Sequence, residues 1–164
     1  MLHRLRQVAA SLASREVVGV PTELADTPPT ARLFSALAPH DRRHLVAVHR
    51  ACVVAGVSPD IVMAGLLHDI GKASLSGRRV NLLDRSVRVV LARWGPELLS
   101  RLCGAPAPGW RFGLVLAETH AVIGADRLAA LGWPDLTVAA VRDHEAHVTE
   151  GELGELRRID NTTP

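Results

Sequence analysis

The chain has 164 residues, of which 48% are hydrophobic, 22% are charged and 3% are aromatic, and its formal net charge is +2 at pH 7 with neutral histidines. A chain of this length can bury a hydrophobic core of its own, so we expect one domain over residues 1–164 without a disulfide framework. The scarcity of aromatic residues and the small net charge argue against specific nucleic-acid binding, which relies on exposed rings or a strongly basic surface.

The hydrophobic pattern along the chain is helical. Apolar residues recur at spacings of three and four, and no alternation with a period of two extends beyond four residues. This pattern predicts an all-α fold in which proline and glycine mark the helix ends. In the first half we expect an N-terminal helical extension over residues 1–30, with an amphipathic helix over 1–19, followed by helices over 32–38, 39–55 and 59–70.

The second half follows the same pattern. A polar loop is expected over residues 71–79 and another over 103–109, where the sequence reads CGAPAPG. Between and after these loops the pattern predicts helices over 80–94, 96–103, 112–121, 125–131, 134–147 and 152–161, with Gly124 as a break between two of them.

The sequence also predicts a cytoplasmic location. Cys52 and Cys103 are far apart in the chain and form no CxxC pair, which is typical of reduced thiols. The apolar stretch near the N-terminus is interrupted by polar residues, unlike a signal peptide. No run approaches the roughly 18 apolar residues that span a membrane, so we expect no membrane partner. The sequence does not indicate an oligomeric state.

The strongest local signal is the segment AGLLHDIGK at residues 64–72, which ends with His68 and Asp69 before a glycine and Lys72, the only lysine of the chain. Neighbouring side chains on a helix diverge by about 100°, so this pair can bind one ion only beyond the helix end or in a groove beside it. An acid at a helix C-terminus is disfavoured unless a cation compensates. His68 and Asp69 therefore form part of a metal site, or else His68 is a buried, hydrogen-bonded histidine and Asp69 is an ordinary carboxylate.

The segment LLHDIGK resembles the signature of the HD superfamily of metal-dependent phosphohydrolases. The resemblance extends over about residues 39–161, and it implies an HD-domain-like helical bundle with its core in that range. The other positions of the HD pattern match histidines and an aspartate in the expected order on the predicted helices. The matched residues are His44, His68, Asp69, His120, His144 and Asp160.

The resemblance implies two metal ions. His44, His68, Asp69 and Asp160 would bind one ion, and Asp69 would bridge to a second ion held by His120 and His144. Imidazoles and carboxylates without thiolates favour Mn, Fe, Co, Ni or Zn. Such a pair of ions activates water and binds a phosphoryl group. The expected activity is hydrolysis of a small phosphate ester or nucleotide by a metal-activated hydroxide.

Three residues are assigned roles beside the ions. Asp69 and Lys72 are the catalytic candidates, and Lys72 would also bind substrate by offsetting charge on the phosphate oxygens. Arg42 and Arg43 directly precede His44, and the helical period does not decide which of them faces the site. Arg43 is taken as the substrate-binding candidate.

Other histidines and arginines have simpler explanations. His147 lies one turn after His144 and competes for its role, but the His–Glu order at 144–145 matches the family. His3, His40 and His49 are expected at the surface or in structural roles. The arginines at 78, 79, 85, 88, 93 and 101 are interpreted as a solvated helix face.

Two further functions are compatible with the same fold. A six-ligand HD centre loaded with two irons activates oxygen in proteins similar to inositol and phosphonate oxygenases. The fold could also serve as a non-catalytic binding module. A cyclic-dinucleotide phosphodiesterase is disfavoured, because that branch has a His–His pair where this chain has Asp143 and His144, and its Gly-Tyr-Pro segment has no counterpart in a chain without tyrosine.

Overall fold

The computed structural model describes residues 18–73, 82–104, 109–146 and 150–163. Within these ranges the chain forms eight α-helices, two short 3-10 helices and no β-strand, which confirms the all-α prediction. The α-helices are α1 (Pro28–Ala36), α2 (Pro39–Ala55), α3 (Pro59–Leu67), α4 (Leu82–Trp94), α5 (Pro96–Cys103), α6 (Phe112–Ala130), α7 (Asp135–Asp143) and α8 (Gly151–Thr162). Residues 1–17 of the predicted N-terminal helix, Arg78, Arg79 and His147 lie outside the described residues.

Proline and glycine set several helix ends as expected. Pro39 and Pro59 stand in the first turns of α2 and α3, where a missing N–H costs nothing. Gly56 ends α2 in the left-handed conformation with φ 70°. The first helix differs from its prediction, since α1 begins at Pro28 rather than at residue 32, with its two prolines inside the first turn instead of in a loop.

The core surrounds α3, which packs against α2, α7 and α8. Its buried residues lie all around the helix, as expected for a mostly apolar segment. Gly65 permits the close approach of α2, because a Cβ at this position would lie 3.0 Å from the Cys52 sulfur. Helix α8 is held to the start of α3 by Glu152, whose carboxylate accepts hydrogen bonds from the Ser58 backbone N–H and hydroxyl at 3.0 and 2.6 Å.

The turn after α3 packs directly on α6. Helix α3 ends at Leu67, and a 3-10 helix follows over Ile70–Lys72. A Cβ on Gly71 would lie 1.8 Å from the His120 carbonyl oxygen and 2.7 Å from the Gly124 nitrogen. The predicted helix break at Gly124 is wrong, because α6 continues through it. This glycine provides room for the neighbouring turn instead of ending the helix.

Helix α4 turns polar side chains toward its neighbours and apolar side chains toward solvent. It packs on α6 and α5, and its inward residues include the half-buried Asp84 and Arg88. Its apolar row faces outward and is exposed at Leu83, Val87, Val90 and Trp94. Across the described part of the chain, no helix is both long and apolar enough to cross a membrane.

Candidate metal centre

The six predicted ligands come from five helices or their ends and meet at one place. The rings of His44 and His68 lie 5.5 Å apart between centroids. Those of His68 and His144 lie 5.0 Å apart, and those of His120 and His144 lie 5.3 Å apart. The positions of these ligands are spread over more than a hundred residues, so tertiary packing alone creates the cluster.

One group of ligand atoms forms around Asp160. Its Oδ1 atom lies 2.7 Å from Nε2 of His44 and 3.4 Å from Nε2 of His68. Asp69 joins this group through Oδ2, which lies 3.9 Å from the same His68 nitrogen. His44, His68 and Asp69 each offer one ligand atom, and the three atoms lie within 4.8 Å of one another, so these residues could hold a metal ion.

A second group forms on the other side of Asp69. Its Oδ1 atom lies 3.1 Å from Nε2 of His120 and 3.9 Å from Nε2 of His144. These three residues also bring one ligand atom each within 4.8 Å of the others. Asp69 therefore belongs to both groups, with one oxygen toward each.

Three of the histidines are oriented by hydrogen bonds to the backbone. His68, His120 and His144 each place Nδ1 against the carbonyl oxygen three residues earlier. The acceptors are, in that order, Gly65, Ala117 and Val141, at 3.1, 2.8 and 2.7 Å. His68 and His144 directly follow the last residues of α3 and α7, where carbonyls lack helical partners. With Nδ1–H as donor, Nε2 points its lone pair into the cluster.

The surroundings of Nε2 of His120 suit a metal-binding atom. Its Nε2 atom is buried and has no hydrogen-bond partner, although an oxygen of Asp69 lies 3.1 Å away. An imidazole lone pair and a carboxylate oxygen repel each other at this distance unless a proton or a metal ion lies between them. Nitrogen and carboxylate donors without thiolate suit a divalent transition metal.

The electrostatics of the cluster keep its carboxylates charged. Burial raises the pKa of Asp69, but Lys72, His68 and His120 outweigh it and hold that pKa well below its usual range. Burial likewise opposes ionisation of Asp160, whose pKa is lowered by His68 and His44. Both carboxylates are therefore ready to bind a cation at neutral pH.

The pKa values of His68 and His144, two of the three buried histidines of the centre, shift in opposite directions. Burial lowers the pKa of His68, but the carboxylates of Asp160 and Asp69 outweigh it and raise that pKa to about 9. For His144, burial is the main cause of a pKa lowered to about 4, and the nearby His68 adds to it. In the metal-free chain, a proton on His68 thus supplies the positive charge that a bound metal ion would otherwise provide beside these carboxylates.

The basic candidates near the centre differ in what they contact. Lys72 donates a hydrogen bond from Nζ to Oδ2 of Asp69 at 2.5 Å, so its ammonium lies beside the shared carboxylate. Arg42 points elsewhere, because its Nη1 donates to the Val18 carbonyl at 2.9 Å and holds the segment before α1. Arg43 is half-buried next to His44, and its role in substrate binding stays a prediction.

The centre is open to solvent on one side. The side chains of His44 and Asp160 are 21% and 25% exposed, whereas those of His68 and His120 are each 2% exposed. Solvent therefore reaches His44 and Asp160 of the first group more readily than it reaches His120 of the second.

The sequence did not indicate the contacts of Arg88, which bridges residues close in sequence to two of the ligands. Arg88 was expected on a solvated helix face, but it is half-buried and forms ion pairs with Glu118 and Glu145. These residues lie close in sequence to His120 and His144. The partners are 30 and 57 residues away from Arg88, so no local pattern could have indicated them.

Comparisons with known proteins found no match. No protein-family model matches the chain, and neither a curated protein nor a solved structure matches it.

Proposed function

We propose that this protein is an HD-type, metal-dependent phosphohydrolase that acts on a small phosphate ester or nucleotide. The observation that supports the proposal is the position of Asp69, whose two oxygens face two separate groups of imidazole nitrogens. A bridging carboxylate between two groups of nitrogen ligands is suited to a two-ion centre for phosphoryl chemistry.

The ligand atoms divide between two ions. His44, His68, Asp69 and Asp160 would hold one ion, and Asp69 with His120 and His144 would hold the other. When bound, the ions supply a nucleophile from water near neutral pH and offset negative charge on the phosphoryl oxygens.

The protein's own residues orient the ligand atoms and leave one side of the centre open. Hydrogen bonds from Nδ1 fix the rings of His68, His120 and His144, so their ligand atoms are in place before an ion binds. Substrate enters on the side of His44 and Asp160, which is the exposed side. The ammonium of Lys72, which contacts Oδ2 of Asp69, would stabilise the charge that develops on the phosphate oxygens.

The test is metal content combined with hydrolysis. The chelated chain is reconstituted with Mn²⁺ without oxygen, which separates hydrolysis from diiron oxygenase chemistry, and p-nitrophenyl phosphate and its bis-ester are assayed. Two bound ions and metal-dependent hydrolysis are expected. A wild-type chain that binds no ion would instead support a non-catalytic module.

The decisive variant is Asp69→Asn, which keeps the shape of the side chain and removes its charge. We expect the loss of both ions and a fall in hydrolysis of about 1000-fold or more. The control is Asp126→Asn, because Asp126 is exposed on α6 and pairs with the exposed Arg142 rather than with a ligand. Retention of two ions by Asp69→Asn would contradict the assignment.

A further inference from the structure

Arg88 connects the two helices whose histidines form the second group of ligands. Its Nε atom donates to Oε2 of Glu118 at 2.7 Å. Its Nη1 and Nη2 atoms donate to the two carboxylate oxygens of Glu145 at 3.1 and 2.6 Å. Glu118 lies two residues before His120 on α6, and Glu145 directly follows His144 at the end of α7.

The geometry suits a rigid link. The guanidinium is planar, so one fork that binds both glutamates sets the distance between the segments to which they belong. The Arg88 side chain is 22% exposed and its pair with Glu118 is partly buried, whereas the contacts with Glu145 face solvent. Although burial lowers the pKa of Arg88, the carboxylates of Glu145 and Glu118 outweigh it and raise that pKa.

Arg88 also offsets the charge of two carboxylates that are close in sequence to the second group of ligands. Glu118 lies two residues before His120, and Glu145 directly follows His144. Without the guanidinium the two carboxylates would repel each other, which would move the segments that carry these histidines apart.

Three of the four ligands in the first group lie apart from this link. His44, His68 and Asp160 lie on or beside α2, α3 and α8, whereas α4 packs on α5 and α6. Asp69 is shared by both groups, but the ion pairs of Arg88 are with Glu118 and Glu145. A change at Arg88 should therefore act mainly on the second group.

From this geometry we propose that Arg88 is a positioning residue that sets the separation of His120 and His144 and thereby the affinity of the second ion. That the second group binds a metal ion rests on the proposed function. The ion pairs of Arg88 with Glu118 and Glu145 do not depend on that proposal.

The test is calorimetric titration of the chelated full chain with Mn²⁺, which gives the number of ions and each affinity. Arg88→Met retains most of the aliphatic part of the side chain and removes the guanidinium that binds both glutamates. We expect the first ion to bind within about twofold of wild type and the second to bind about 10- to 100-fold more weakly. Arg88→Lys should show the same selective loss, because a lysine cannot bind both glutamates in the same fork.

The matched control is Arg142→Met. Arg142 also bridges α7 and α6 and lies two residues before His144, but it makes a single contact, to Oδ1 of Asp126 at 2.7 Å, and both side chains are more exposed than that of Arg88. We expect this variant to bind both ions as wild type does.

The outcomes separate the two proposals. A wild-type chain without ions overturns the proposed function and this inference together. Two ions at unchanged affinity in Arg88→Met overturn the inference alone, as does an equal weakening of both ions, which would indicate a general structural defect. If Arg88→Met does not fold, Glu118→Gln and Glu145→Gln are titrated instead, and selective weakening of the second ion is expected for each.

Discussion

His68 is a histidine of the centre whose pKa is raised by neighbouring carboxylates. It is buried at the end of α3, yet Asp160 and Asp69 favour its protonated form more than burial disfavours it. His144, equally enclosed but with other histidines nearby, favours the neutral form. A metal ion can replace the proton on His68, because it supplies positive charge at the same carboxylates.

This coupling predicts a loss of stability in alkali for the metal-free protein. The pKa of His68 is about 9 in the folded chain against 6.5 for the free side chain. The resulting stabilisation is fully present below pH 6.5 and is lost as the pH rises through 9, by about 3 kcal/mol. Urea unfolding with chelator at pH 6.5 and pH 9.5 measures it.

Two comparisons test the cause of that loss. His68→Gln should remove most of the alkaline change, since glutamine has no proton to lose. Saturation with metal should also reduce it, because a coordinated imidazole is already neutral. An alkaline loss of the same size in His68→Gln would contradict the assignment to this residue.

At the scale of secondary-structure elements, the contact between the 3-10 helix and α6 determines where Asp69 lies relative to His120. Gly71 approaches the α6 backbone so closely that no side chain fits. Its φ is not in the left-handed region, so the requirement for glycine comes from packing rather than from the turn. The sequence indicated a glycine at a helix end, but it did not reveal this reason.

Gly71→Ala is therefore predicted to be strongly destabilising. The added Cβ would lie 1.8 Å from the His120 carbonyl oxygen, which is backbone and cannot rotate away. We expect a loss of about 3 kcal/mol or more in the free energy of unfolding, and weaker metal binding as His120 shifts. Urea unfolding and Mn²⁺ titration measure the two effects.

Gly19→Ala is the control for this substitution. A Cβ at Gly19 would meet nothing within 4 Å, so the change in stability should be within about 0.5 kcal/mol. Equal stability of the two alanine variants would show that the turn does not pack on α6 in this way.

On the scale of the whole molecule, the candidate centre joins parts of the chain that are far apart in sequence. Asp160 on α8 and His44 on α2 contact each other across 116 positions. Because the ligands meet only in the folded chain, an ion that binds them stabilises the fold by mass action.

Removal of metal should therefore lower the melting temperature. At a free ion concentration of 100 times Kd the stabilisation is about 3 kcal/mol. For a chain of this size that corresponds to a fall of roughly 10 °C on chelation. Differential scanning calorimetry with and without EDTA measures it, and Asp69→Asn should show no such shift. An unchanged melting temperature in the wild type would contradict metal binding by the folded chain.

Local pattern was sufficient to predict the all-α class and the bounds of helices such as α2, because apolar spacing and proline or glycine at helix ends act over a few residues. The resemblance in sequence also selected the six residues that meet in the structure. Their function as metal ligands and the phosphohydrolase activity stay predictions.

Tertiary structure decided which side of each helix faces inward. Helix α4 places polar Arg88 inside and its apolar row outside, and Arg42 turns toward Val18 rather than toward the ligands. Gly124 gives room to a neighbouring turn instead of ending α6. These outcomes depend on contacts between residues far apart in the chain. A local pattern specifies a helix and its apolar side, but it does not specify which surface that side will meet.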